Sequence, residues 1–311
     1  MEKQTTLQSN TTLSGPGLHT GKFVTATLCP AAENSGIVFR RTDLSPAIEI
    51  AALADKVSDT ARGTTLCHEG AKIATLEHLM AALHALGVDN VLVEIDGEEV
   101  PILDGSARPW VEAIKKAGIK TLDAEREYYK ITETIVAGSP DATWYKAEPD
   151  DDFQVKAYIE FPSQAIGKQE AELTSFEGFE NEIAPCRTFV FLHEIAPLLE
   201  NNLIKGGALD NALVFVDHAL EPAQAEKLAK IYNTDPSSLR VNNGVLNTVE
   251  PYFPNEPARH KLLDFVGDIL LTGVRLKGHF IIKCPGHKAN TMFANMILGM
   301  IKTQNNIQYI D

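Results

Sequence analysis

The stretch Arg259-His260-Lys261-Leu262-Leu263-Asp264-Phe265-Val266-Gly267-Asp268 decides how the rest of the chain is read. His260 and Asp264 are four positions apart, so on a helix they share one face about one turn apart. Leu262, Leu263, Phe265, Val266, Ile269 and Leu270 take the opposite face, leaving His260, Asp264 and Gly267 as a narrow polar and small stripe. A helix this apolar is expected to be mostly buried, and a buried histidine and aspartate need a partner. Read alone, the segment also fits a plain His–Asp surface pair.

A second segment bears on that choice. Thr75 to Gly87 carries Leu76, Leu79, Met80 and Leu83 at i, i+3, i+4 and i+7, the mark of an amphipathic helix. His78 lies off that stripe, beside Ala81 and Ala85. Two helices with small faces can approach closely, which would carry His78 toward His260 and Asp264. Two imidazoles and one carboxylate, with one position left for water, form the usual arrangement of a catalytic zinc. His78 by itself fits a satisfied core histidine as well.

Two neighbours extend the constellation. Glu77 precedes His78, and adjacent helical residues point about 100° apart, so its carboxylate could hold a water beside the metal as the Glu of an HExxH helix does. Glu before His is also a common accident. Asp268 stands one turn beyond Asp264 and could orient His287, in the turn Pro285-Gly286-His287. An imidazole held by a carboxylate keeps its proton longer and can serve as an acid at neutral pH. Metal, base and acid together are the minimum set for hydrolysing an amide or ester.

The apolar fraction of 44% and charged fraction of 23% are those of a soluble globular protein. Neither a window of eighteen apolar residues nor a basic-then-apolar leader is present, so the reading is a cytoplasmic protein without a transmembrane segment. Four scattered cysteines without a C-x-x-C pair suggest neither disulfides nor a thiolate zinc site. A net charge of -14 opposes nucleic-acid binding. An anionic small substrate would have to be met by local cations, with Lys261, Lys283 and Lys288 as candidates. His19, between glycines in Gly17-Leu18-His19-Thr20-Gly21, could approach a ligand or be incidental.

Along the chain, short strands are expected at 5–7, 23–28 and 36–39, then a helix, a strand at 91–95 and another over 98–106. A helix over 108–116 follows, and the polar run 122–127 loses the period, which places a domain boundary near 126. Strands resume at 129–136, 143–147 and 153–161, with 186–191 and 212–216 flanking a helix over 193–202. Residues 217–255 read as loops around a helix at 224–232. The key helix ends at Gly273, before a strand at 279–284 and a last helix over 290–302. Helix, Gly87, strand and helix, Gly273, strand repeat the same order, suggesting two similar layers packed helix to helix, with the site in the seam.

Gly17-Leu18-His19-Thr20-Gly21, Thr75-Leu76-Glu77-His78-Leu79, Pro101-Ile102-Leu103-Asp104-Gly105-Ser106, Arg187-Thr188-Phe189, His260-Lys261-Leu262-Leu263-Asp264 and Pro285-Gly286-His287 occur in that order over nearly the whole chain. Together they resemble the UDP-3-O-acyl-N-acetylglucosamine deacetylase family, the zinc amidases of lipid A synthesis. The resemblance implies Zn²⁺ on His78, His260 and Asp264, Glu77 as base, and His287 paired with Asp268 as acid. It further implies Thr188 at the oxyanion and Lys261 toward the charged substrate.

The implied fold is α+β: duplicated two-layer β-α-α-β sandwiches over 1–126 and 127–311, packed helix face to helix face. An insert at about 186–216 would carry a tunnel for the acyl chain, lined by Phe189, Phe191, Leu198, Leu199, Leu203 and Ile204. Cys284 stands where the family often has a basic residue, and residues 217–255 are longer than the resemblance leads one to expect. Some relatives carry a hydroxyacyl-carrier-protein dehydratase fused after this region, a possible C-terminal partner here. The alternatives are a zinc amidase or esterase for a different acylated substrate, and a binding module in which His and Asp form a structural pair.

Overall fold

The computed structural model describes residues 2–201, 203–217, 220–246 and 249–307. Asn202, the expected end of the helix from His193, lies outside the described residues, as do 218–219 and 247–248 of the 217–255 segment. The first half runs β1 (Lys3–Leu7), β2 (Thr11–Pro16), β3 (Phe23–Pro30), β4 (Ile37–Arg41), β5 (Ile48–Ala51), β6 (Val57–Asp59), β7 (Thr65–His68) and β8 (Ala71–Ala74). Then come α1 (Glu77–Ala85), β9 (Val91–Ile95), α2 (Arg108–Ala117) and β10 (Ile119–Glu125).

The second half opens with β11 (Tyr128–Lys130), β12 (Ile135–Gly138), β13 (Trp144–Glu148), β14 (Phe153–Glu160), β15 (Lys168–Leu173) and α3 (Phe179–Glu182). It continues through β16 (Phe189–Phe191), α4 (Leu192–Glu200), β17 (Leu213–Phe215), α5 (Pro222–Tyr232), β18 (Val241–Asn242) and β19 (Val245–Leu246). It closes with α6 (Glu256–Ile269), β20 (Arg275–Lys283) and α7 (His287–Ile307). The chain is thus a mixed α+β protein of several sheets and few helices.

Two sheets carry the structure. One has the order β2-β3-β9-β4-β5, the other β12-β13-β20-β14-β15, with β11 added beside β20. Along each order the pairings run antiparallel, antiparallel, parallel, antiparallel. Alternation sets the inner faces: Val24, Ala26 and Leu28 of β3 and Val91, Val93 and Ile95 of β9 are buried, as are Val155, Ala157 and Ile159 of β14. Each sheet lays its apolar face on helices, which in turn meet each other.

α1 and α6 pack together at the centre. A Cβ at Gly267 would fall 2.1 Å from the Glu77 carbonyl oxygen and 3.1 Å from the Ala81 nitrogen, so only glycine lets the two backbones come this close. The other end of α1 is tied down by arginines. Arg275 of β20 donates to the His84 carbonyl at 2.8 Å, Arg126 donates to the Gly87 carbonyl at 2.9 Å, and both pair with Asp89. Cations at a helix C-terminus satisfy its free carbonyls and its dipole.

Several expectations need correction. Residues 98–106 form no strand; they make single bridges, Ala74 to Glu99 and Gly17 to Pro101. Pro101 lacks a donor, Leu103 sits at φ +55°, and the Asp104 carboxylate accepts from the Ser106 backbone and hydroxyl, which turns the chain. The polar run after Leu122 is not a loop at first, because β10 continues to Glu125 and pairs antiparallel with β1. Residues 217–255 are more than loops and a helix: β18 and β19 join β16 and β17 in one small sheet. Around it lies a second hydrophobic cluster, separate from the main core.

A Gly267→Ala variant is expected to lose about 1–3 kcal/mol by overpacking, read from chemical denaturation; an unchanged midpoint would contradict the close approach. A second expectation concerns His84, buried against Phe153 and Phe176 with Nδ1 2.9 Å from the Val266 carbonyl. Burial, with Arg275 beside it, lowers its pKa to about 3. An unfolded histidine titrates near 6.5, so this contribution to stability is complete above about pH 6.5 and is lost as pH falls toward 3. The wild type should therefore lose more stability than His84→Leu between neutral and mildly acid pH; parallel curves would refute this.

Candidate metal centre

Three elements bring the side chains together. The first turn of α1 presents Glu77 and His78, α6 presents His260, Lys261, Asp264 and Asp268, and the first residue of α7 is His287. The positive φ of Cys284, +48°, turns the chain between β20 and that helix start. Glu77, His78, His260, Asp264 and Asp268 are all at most 5% exposed.

The donor atoms of His78, His260 and Asp264 lie within 4.8 Å of one another. His260 Nε2 is 3.3 Å and His78 Nε2 is 3.7 Å from Asp264 Oδ1. The two rings stand nearly edge to face, 81° apart, with centroids at 5.1 Å. His260 Nδ1 donates to the Cys186 carbonyl at 3.0 Å, which leaves the Nε2 lone pair facing Asp264. Asp264 Oδ2 accepts from Lys261 Nζ at 2.8 Å, while Oδ1 is buried without a hydrogen-bond partner among the described residues. Lone pairs from three groups aimed at one point repel each other unless a cation sits among them, and this donor set of two nitrogens and one oxygen suits a divalent ion.

Electrostatics match that use. Burial lowers the His78 pKa to about 3, with His260 adding to the effect, and burial lowers His260 too, so both are neutral donors at pH 7. Burial acts to raise Asp264, but His260, Lys261, His287 and His78 outweigh it and hold the group well below the usual carboxylate range. Burial raises Glu77 to about 7, opposed by His287 and assisted by Asp268 and Asp264. Burial acts to lower His287, yet the carboxylates of Glu77, Asp264 and Asp268 raise it to about 9.

His287 is fixed by a buried network. Its Nδ1 is 3.1 Å from Asp268 Oδ2, which also accepts from Asn290 Nδ2 at 2.8 Å. The Tyr145 hydroxyl donates to Asn290 Oδ1 at 2.5 Å. Its Nε2 faces Glu77 Oε1 at 3.9 Å and Asp264 Oδ2 at 3.8 Å. Thr64 bridges the two sides of the site: its hydroxyl donates to Asp268 Oδ1 at 2.6 Å and its backbone N–H to Glu77 Oε2 at 3.1 Å. Thr64 and Asn290 are functional-site residues that the sequence reading did not find. Asn290 lies one turn after His287 on α7 and was accessible as an i, i+3 neighbour. Thr64 carried no local signal, since it approaches from a distant loop.

A cavity of about 140 Å³ opens on the cluster, lined there by Glu77, His78, His260, Lys261, Asp264 and His287 and also by His19, Thr188 and Phe189. Asp268 stands behind His287, outside that lining. Phe191 is not in it either: two residues beyond Phe189 on β16, its ring packs on Phe161, His193 and Phe215. Leu198 and Ile204 line the cavity, whereas Leu199 packs into the second cluster and Leu203 is not part of the wall. Of the other two candidate lysines, Lys283 donates to the Pro140 carbonyl, away from the cavity.

Converging buried imidazoles and a carboxylate, with a second carboxylate and a protonated imidazole alongside, make the kind of site used by metal-dependent hydrolases. A family model described as UDP-3-O-acyl N-acetylglycosamine deacetylase matches residues 4–230 and 216–299. A protein named UDP-3-O-acyl-N-acetylglucosamine deacetylase from Nitratidesulfovibrio vulgaris is 40% identical over 94% of this chain and 87% of its own length. One of the same name from Vibrio vulnificus is 37% identical over 96% and 90%. A Porphyromonas gingivalis protein named Bifunctional enzyme LpxC/FabZ is 44% identical over 99% of this chain, and the chain spans 66% of that protein's length. The chain belongs to the UDP-3-O-acyl-N-acetylglucosamine deacetylase family. No described helix is long and apolar enough to cross a membrane.

The purified protein is expected to carry stoichiometric divalent metal by elemental analysis. His78→Ala or Asp264→Ala should strip it, and full retention in both would show that the three groups do not share an ion.

Proposed function

We propose that this chain hydrolyses the N-acetyl group of UDP-3-O-acyl-N-acetylglucosamine, giving UDP-3-O-acyl-glucosamine and acetate in lipid A synthesis. The observation that carries this reading is the unpaired, buried Asp264 Oδ1 between two neutral imidazoles, set against Glu77 and His287. His78, His260 and Asp264 would hold Zn²⁺, which when bound supplies Lewis acidity to the acetamide carbonyl and to water. Glu77 takes a proton from the attacking water as the new C–O bond forms. Its raised pKa suits a general base working near neutral pH.

Thr188, at the cavity wall, donates toward the developing oxyanion. His287 gives its proton to the nitrogen as the C–N bond breaks, and Asp268 keeps its Nδ1 side fixed so that Nε2 faces the reaction. Acetate and a free amine result. Lys261 Nζ lies 5.7 Å from the Phe189 ring centroid in the wall of the same cavity, and we assign it to the charged part of the substrate. His19 borders the same cavity with Nδ1 buried and without a hydrogen-bond partner among the described residues, and we assign it a substrate contact. Phe189 provides apolar wall.

We read the fold as two β-α-α-β sandwiches, 1–126 and 127–311, with α1 and α6 as the facing helices. The shared order of strand pairings supports a duplication. The bifunctional names of several relatives support a further expectation, that the whole protein joins this activity to a hydroxyacyl-carrier-protein dehydratase.

Acetate release from UDP-3-O-acyl-N-acetylglucosamine is expected to stop with a chelator and return with Zn²⁺. A different acylated substrate is indicated if acetate is never released. Glu77→Ala should keep its metal while turnover falls on the order of 10² to 10⁴; near-normal turnover would remove the base from the mechanism.

A further inference from the structure

The cavity wall is of two kinds. One part is the polar cluster; the other is apolar, formed by Val190, Ile195, Leu198, Ile204, Val214 and Tyr232, most of which belong to or pack on the second hydrophobic cluster, and we take it as the end away from the polar groups. Among the described residues Tyr232 is the only part of the wall that comes from 217–255. It is the last residue of α5, in a segment longer than the family resemblance leads one to expect. Ile195 and Val214 belong at once to the wall and to the second hydrophobic cluster, in which Ala225, Leu228 and Ala229 of α5 are buried. The cluster therefore holds α5 against the apolar end.

The position of the Tyr232 ring follows from the end of α5. Asn233 ends α5 at φ +49° with its N–H on the Ala229 carbonyl, so the chain turns away directly after the tyrosine. The side chain is half-buried, and no hydrogen bond holds its hydroxyl among the described residues. The ring is thus kept in place by packing, with one part on the cavity and another toward water.

We propose that α5 closes the apolar end of the cavity and that Tyr232 sets the longest acyl chain the site accepts. This rests on the reading of the substrate given above and adds its specificity. An unbranched alkyl chain entering past Phe189 gains affinity with each methylene it buries. The gain stops when the chain meets the phenol ring. Chains longer than that must bend or push α5 away from its cluster.

The test uses the metal-loaded protein and a series of UDP-3-O-acyl-N-acetylglucosamines that differ only in acyl length. For wild type, kcat/KM should rise by about fourfold per added methylene, the equivalent of about 0.8 kcal/mol, up to a limit and then fall. Tyr232→Ala should move that limit to longer chains, and Tyr232→Trp to shorter ones. Limits that coincide in all three proteins would overturn the proposal. If no member of the series releases acetate, the reaction assignment fails by itself. Length dependence is then read from calorimetric binding of the same series, where coinciding limits overturn the gauge as well.

Discussion

Everything at the site depends on how near α1 and α6 stand. Gly267 admits the backbone of α1 at Glu77 and Ala81 to a distance that any side chain would prevent. That approach places His78 opposite His260 and Asp264, so that donor atoms of three buried groups lie within 4.8 Å of one another. Such an arrangement is costly in an empty pocket and favourable around a cation. The arginines on Asp89 hold the far end of α1 and so keep its first turn from shifting.

The same burial governs the groups beside the donors. Glu77 and His287 share one pocket, yet each is raised for its own reason: the carboxyl because its charge is desolvated, the imidazole because three carboxylates surround it. The result is a group able to accept a proton facing one able to give it, 3.9 Å apart. Thr64 touches Glu77 through its backbone and Asp268 through its hydroxyl, so a single residue sets both sides. The small sheet of β16 to β19 adds an apolar extension to this polar centre, with a cluster of its own that the main core does not include.

Much of this was legible from local pattern. Period and spacing located α1, β9, α2, β14 and α6 to within a few residues, because each is amphipathic or alternating over its whole length. The i, i+4 relation of His260 and Asp264, and the step to Asp268, follow from helix geometry alone. Elements whose partners are distant were missed or misread. β10 is polar and exists because β1 lies beside it, while 98–106 looks like a strand until Pro101, Leu103 and Asp104 break it. Phe191 shares a strand with Phe189 but spends its ring on Phe161, His193 and Phe215, which no spacing could reveal.

By itself the amino-acid sequence determined which residues could act as donors, base and acid, and which faces of their helices they occupy, since those follow from side-chain chemistry and a 3.6-residue turn. Only the tertiary structure decided that His78 meets residues more than 180 positions later, that Thr64 and Asn290 complete the network, and that Tyr232 lines the cavity. Contacts between distant segments depend on how sheets and helices pack in three dimensions, and packing distance is not written in the order of residues along a chain.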